Sequence, residues 1–136
     1  MCKTAIIGGG PGGYVTAIRL QQYGIESIVF EKARLGGVCL NWGCIPTKSY
    51  VKVAELFAEM KEAENFGLEV TGAKVDFAKV WERKNRIVEQ LVSGIEFMCR
   101  KRQIEIKKES VRKIKKTDKG YLIFTDQDSF EVDQII

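Results

Sequence analysis

Two rhythms of apolar and polar positions run along this chain, and the places where one gives way to the other outline its elements. Lys3 to Ile7 is a short apolar run with strand character, ending in Gly8-Gly9-Gly10-Pro11-Gly12-Gly13. A helical rhythm follows from about Gly12 to Tyr23, and Gly24 supplies a stop. Ser27 to Phe30 is a second buried strand, closed by Glu31. Strand, glycine turn, helix and strand together open a parallel α/β unit.

From Cys44 to Glu64 the pattern is helical again, with Tyr50, Val53, Ala54 and Phe57 on one side. A glycine-bearing connection around Gly67 to Gly72 leads to Asp76, a plausible N-cap. A long amphipathic helix then reaches about Arg100, with Phe77, Val80, Trp81, Ile87, Val88, Leu91 and Ile95 as its apolar side. After Gln103 the period shortens to two. Ile104 and Ile106, then Tyr121 and Ile123, then Phe130 and Val132, read as a small β-meander turning at Asp118-Lys119-Gly120. Val132 to Ile136 reads as a strand just beginning, as in a segment of a longer chain.

Composition narrows the classes. The 136 residues suffice for one domain with a core, and 45% apolar and 29% charged residues are ordinary for a globular protein. No apolar run approaches the roughly 20 residues of a membrane span, and no signal peptide opens the chain, so a cytoplasmic, reducing setting is expected. Arg100 to Lys119 holds ten Lys or Arg against three acids. These alternate with apolar residues and lack interleaved aromatics, so a solvated sheet face is expected rather than a nucleic-acid surface.

The glycines carry the first candidate chemistry. Gly8, Gly10 and Gly13 fit G-x-G-x-x-G directly after a strand and at the start of a helix. Gly8 permits the tight turn, Gly10 leaves room for a pyrophosphate, and Gly13 lets the helix pack close. The helix N-terminus offers free N–H groups to phosphates. Glu31, 23 residues after Gly8, stands where an acid accepts ribose hydroxyls. The motif alone does not separate FAD from NAD.

The second candidate is Cys39 and Cys44, five positions apart in GGVCLNWGCIPTK. Zinc would call for a second pair of Cys or His, and the chain has no histidine; Cys2 and Cys99 are isolated. Two buried structural cysteines fit poorly beside two glycines and Asn41. A redox pair fits best. Pro46 marks Cys44 as the start of a helix, whose dipole favours a thiolate, while Cys39 lies in the approach, expected to be flexible. Lys48, one turn further on, could add positive charge or could simply be solvated. Cys99 reads as core and Cys2 as an incidental thiol.

Gly36 to Lys48, taken with the glycine loop, resembles the redox-disulfide signature of the class I pyridine nucleotide–disulfide oxidoreductases. The wording C-L-N-x-G-C-I-P-[ST]-K is most similar to the branch of that family that oxidises dihydrolipoamide. The resemblance implies an α/β, Rossmann-like FAD-binding domain, with residues 1–136 as its N-terminal part. In that role Gly8, Gly10, Pro11, Gly12 and Gly13 would hold the pyrophosphate and Glu31 the adenosine ribose. Lys32, Gly36, Gly37 and Val38 would lie along the cofactor, and a backbone group near Val111 would meet adenine. Cys44 would face the flavin, Cys39 would exchange with the substrate, and Lys48 would sit beside the isoalloxazine ring.

The activity so implied is oxidation of protein-bound dihydrolipoamide through the Cys39–Cys44 disulfide and FAD to NAD⁺. The partners would be the lipoyl domain of 2-oxoacid dehydrogenase complexes or of the glycine cleavage system, and a second subunit in a homodimer. The alternatives are relatives that reduce glutathione disulfide or mercuric ion, and a non-catalytic nucleotide-binding module. Family members also carry an NAD domain and a dimerisation domain with a His–Glu pair. Neither is expected within these residues, so the chain alone is expected to lack turnover and not to hold FAD tightly.

Overall fold

A computed structural model describes residues 3–136 of the chain. β1 (Lys3–Ile7) and β2 (Glu26–Phe30) pair in parallel from Lys3 opposite Glu26 to Ile7 opposite Phe30. The crossover between them is α1 (Pro11–Gln22). A chain of α2 (Gly37–Asn41), α3 (Cys44–Glu62), a 3₁₀ turn at Ala63–Phe66 and α4 (Phe77–Lys101) follows. β3 (Glu105–Lys107) then returns to the sheet beside β2. β4 (Val111–Thr117), β5 (Gly120–Thr125) and β6 (Ser129–Val132) form an antiparallel meander, and β7 (Gln134–Ile135) rejoins the parallel sheet beside β1. The sheet order is β3-β2-β1-β7.

The alternation of side chains along the two central strands divides the core in two. Ile6 and Val29 face Ala17 of α1 and Val88, Val92, Ile95 and Cys99 of α4. Ala5, Ile28 and Phe30 face the other way, onto Ile123 and Val132 of the meander. Helices thus cover one face of the parallel sheet and a second sheet covers the other. Strands buried on both faces read as continuous apolar runs, which is how KTAII and SIVF appear in the sequence.

The architecture is the expected α/β one with a helical hairpin between β2 and β3, and four local expectations change. Ile106 belongs to the parallel sheet rather than the meander. The single strand expected from Val132 onward is two: Val132 ends β6, and Gln134–Ile135 crosses to the other sheet. The approach to Cys44 is helical, with Cys39 on α2. The apolar side of α4 is buried only in its second half. Phe77, Trp81 and Leu91 stay exposed, and the buried stripe is Val88, Val92, Ile95 and Cys99. Asp76 does cap α4, its Oδ1 accepting the Lys79 backbone N–H at 3.2 Å.

Candidate active site

The glycine loop leaves β1 in a turn that only glycine makes cheaply. Gly8 has φ of 107°, and its N–H donates to the Phe30 carbonyl at 2.8 Å. Gly13 lies so close under the turn that a Cβ there would come within 1.8 Å of the Gly8 carbonyl oxygen. Gly8 and Gly12, by contrast, face open space. α1 begins at Pro11 after Gly10, with no side-chain cap and no acid in its first turn. Its first N–H groups therefore have no competing intramolecular carboxylate, which suits a phosphate.

Glu31 is fixed against this loop. Its Oε2 accepts the Gly9 N–H and its Oε1 accepts the Ala33 N–H, both at 2.8 Å. Beside it lies a cavity of about 240 Å³ lined by Ile7, Gly8, Phe30, Glu31, Lys32, Glu109, Ser110 and Val111. Val111 opens β4 next to an irregularity in register, where Val111 opposes Thr125 but Lys113 opposes Phe124. Such a bulge re-aims the end of a strand, and here that end borders the cavity. Four positions picked out in the sequence, Gly8, Glu31, Lys32 and Val111, thus line one recess although 80 residues separate Glu31 from Val111. A glycine turn, open helix N–H groups, a carboxylate at the end of β2 and an adjoining recess fit the adenosine diphosphate part of a dinucleotide.

The cysteine segment is docked onto the same loop. The Gly36 N–H donates to the Gly9 carbonyl at 2.8 Å. Gly36 and Gly37 have φ of 93° and 56°, and a Cβ on Gly37 would stand 2.8 Å from Gly10 Cα. Two glycines here let two backbones touch. α2 then carries Val38, exposed, and Cys39, half-buried. After Gly43, α3 opens with Cys44, exposed, and Lys48 lies exposed one turn later.

The two thiols form a pair. A side-chain hydrogen bond to Cys44 raises the Cys39 pKa above the usual thiol range, with partial desolvation adding to it. The backbone N–H of Cys44 and the charge of Lys48 act in the opposite direction. A neutral Cys39 thiol donating to the Cys44 sulfur accounts for the direction. Cys99 stands apart, fully buried on the core side of α4, where burial pushes its thiol pKa up.

Several contacts around the pair have little or no signature in the sequence. Asn41 donates from Nδ2 to the Leu35 and Gly37 carbonyls at 3.0 and 2.9 Å. Arg34, just before the cysteine segment, pairs with Glu89 of α4. Arg83 of α4 donates to Ser49 of α3 at 3.1 Å. The last two are contacts across 55 and 34 residues, with no local signal. Asn41 alone carried one, a polar residue in an otherwise apolar turn. Among the described residues, no three His, Cys, Asp or Glu side chains are grouped to hold a metal ion, and no helix is long and apolar enough to cross a membrane.

The sequence matches the model of the family described as pyridine nucleotide-disulphide oxidoreductase over residues 2–136. It is 44% identical over 101 residues to a dihydrolipoyl dehydrogenase of Bacillus subtilis, covering 74% of this chain and 21% of the relative. It is 43% identical to a dihydrolipoyl dehydrogenase of Acholeplasma laidlawii, over 74% of this chain and 30% of that protein. It is 41% identical to one of Chlorobaculum tepidum, over 75% of this chain and 22% of that protein. The matched part thus spans between about a fifth and a third of the length of these relatives.

Proposed function

Because the chain belongs to the pyridine nucleotide-disulphide oxidoreductase family, we propose that it supplies the dithiol and the adenosine-side cradle of an enzyme that oxidises protein-bound dihydrolipoamide. The observation that carries this reading is the junction of Gly36 and Gly37 with Gly9 and Gly10, which ties the Cys39–Cys44 pair to the nucleotide cradle. Kinship with dihydrolipoyl dehydrogenases supports the choice of substrate.

On this reading Gly8, Gly10, Pro11, Gly12 and Gly13 hold the pyrophosphate of FAD on the open end of α1, and Glu31 accepts the adenosine ribose hydroxyls. Lys32 and the Val111 backbone border adenine. Gly36, Gly37, Val38, Cys44 and Lys48 belong to the flavin side. Bound FAD supplies the hydride chemistry that delivers two electrons to NAD⁺.

The residues of this chain perform the thiol exchange. A substrate thiolate attacks the Cys39 sulfur of the oxidised pair, breaking the Cys39–Cys44 bond and releasing Cys44 as a thiolate. The second substrate thiol attacks its own sulfur in the mixed disulfide and releases Cys39. The substrate leaves as a disulfide, and its two protons end on Cys39 and Cys44, which are left as thiols. The NAD and dimerisation domains of this reading lie outside these residues. The partners are a lipoyl carrier domain, of a 2-oxoacid dehydrogenase complex or the glycine cleavage system, and a second subunit in a cytoplasmic homodimer.

The test is NAD⁺-linked oxidation of dihydrolipoamide by the protein that carries these residues, beside NADPH-linked reduction of glutathione disulfide and of mercuric ion. Turnover of dihydrolipoamide with loss on Cys39→Ser or Cys44→Ser is expected. Activity only on glutathione disulfide or mercuric ion refutes the substrate and leaves the dithiol chemistry standing.

A further inference from the structure

Asn41 lies between the two cysteines and is nine-tenths buried, an unusual burial for an amide. Its Nδ2 gives both hydrogens to backbone carbonyls, those of Leu35 and Gly37. Two acceptors fix the amide's orientation, since only the nitrogen can donate. Its Oδ1 is left buried with no partner. An apolar side chain would avoid that unmet acceptor, so the amide is held for its two donated bonds.

Those bonds reach the segment that sets where α2 lies. Leu35 and Gly37 flank Gly36, whose N–H is bonded to the Gly9 carbonyl. Gly37 is the left-handed first residue of α2 and touches Gly10. Asn41, the last residue of α2, reaches back along its own helix to bind this entry. The short helix carrying Cys39 is thereby strapped at both ends. Only five residues long, it has little cooperativity of its own to keep its shape.

From this geometry we infer that Asn41 is a positioning residue for the dithiol: it fixes α2 so that the Cys39 sulfur stands within bonding reach of Cys44, and so sets the stability of the Cys39–Cys44 disulfide. The inference rests on the reading of these cysteines as a redox pair. A disulfide between two held sulfurs is favoured by their effective concentration, which falls when one is free to wander.

The test is equilibration of the chain in glutathione buffers: protein dithiol plus glutathione disulfide gives protein disulfide plus two glutathione thiols. The quantity read is the ratio [GSH]²/[GSSG] at half-oxidation, by quenched alkylation and peptide mass analysis. Asn41→Ala should lower this ratio about tenfold, below the roughly hundredfold that a misplacement of about 1 Å can cost. Asn41→Ser, which keeps one donor, should fall between Asn41→Ala and the parent, and it carries the test if the alanine variant does not fold. Ile123→Ala, a core truncation on the opposite face of the parallel sheet from the strap, should lower the urea midpoint and leave the ratio unchanged.

A parent ratio retained in Asn41→Ser and Asn41→Ala overturns the inference and leaves the redox pair intact. An equal drop in Ile123→Ala also overturns it, because the ratio would then follow global stability. Failure of the parent chain to form the Cys39–Cys44 bridge at any ratio overturns the redox reading itself, and the inference with it.

Discussion

Glu31 receives the backbone N–H of Gly9 on one carboxylate oxygen and that of Ala33 on the other, each at 2.8 Å. A single side chain at the end of β2 thus closes both the glycine loop and the turn that leads toward the cysteines. Glu31→Gln keeps the size but offers only one acceptor oxygen, so one N–H loses its partner. The expected cost is about 1–2 kcal/mol in urea unfolding, the scale of a hydrogen bond with one partner removed. Amide hydrogen exchange at Gly9 or Ala33 should accelerate at the same time. Unchanged exchange at both would show that the carboxylate does not hold the loop.

The glycines of the loop are not equivalent. Gly12 faces open space, whereas a Cβ at Gly13 would meet the Gly8 carbonyl oxygen at 1.8 Å. Gly12→Ala is expected to be near neutral in stability. Gly13→Ala must push α1 away from the turn, with a loss of about 3 kcal/mol, the upper end of ordinary overpacking. Thermal melts of the two variants side by side check the contrast, and equal melting temperatures would refute the close approach.

Cys39 holds its proton more tightly than a free thiol because it donates to Cys44. The sign follows from that. A folded-state pKa above the unfolded one means the folded chain binds more protons in the alkaline range. The contribution to stability is then fully present below the unfolded pKa and is lost as pH rises through the folded one. Alkylation of Cys39 by iodoacetamide should accordingly titrate at higher pH in the native chain than in urea. Cys44→Ala removes the acceptor and should bring the midpoint down toward the unfolded value. A native midpoint below the unfolded one would contradict the hydrogen bond's direction.

What could be read from the sequence follows the range of the forces involved. β1, α1 and β2 were legible because each is a local pattern: an apolar run, a glycine turn, a helical period. The hairpin of α3 and α4 was legible for the same reason. α2 was not, since five residues span too little to show a period. The pairing of β3 with β2 has no local signature, because alternation at Ile104 and Ile106 identifies a strand and not its neighbour. The period of α4 marked an apolar side along its whole length. Only tertiary packing decides that Val92 and Cys99 are covered while Phe77 and Trp81 are not. In the candidate site, the glycines, Glu31 and the two cysteines announced themselves by residue type and spacing. Their arrangement did not: the Gly9–Gly36 bond, the Arg34–Glu89 pair and the place of Val111 beside Gly8 all join parts of the chain that are distant in sequence.

The proposed function requires Cys39 and Cys44 to act as one redox unit while Cys99, buried in the core, stays out of reach. The most direct measurement is mild oxidation of the native chain with glutathione disulfide, quenching by alkylation, and peptide mapping. The expected product is a single internal disulfide joining Cys39 to Cys44, with the Cys99 thiol free and labelled only after unfolding. Separate glutathione adducts on Cys39 and Cys44, with no bond between them, would contradict it.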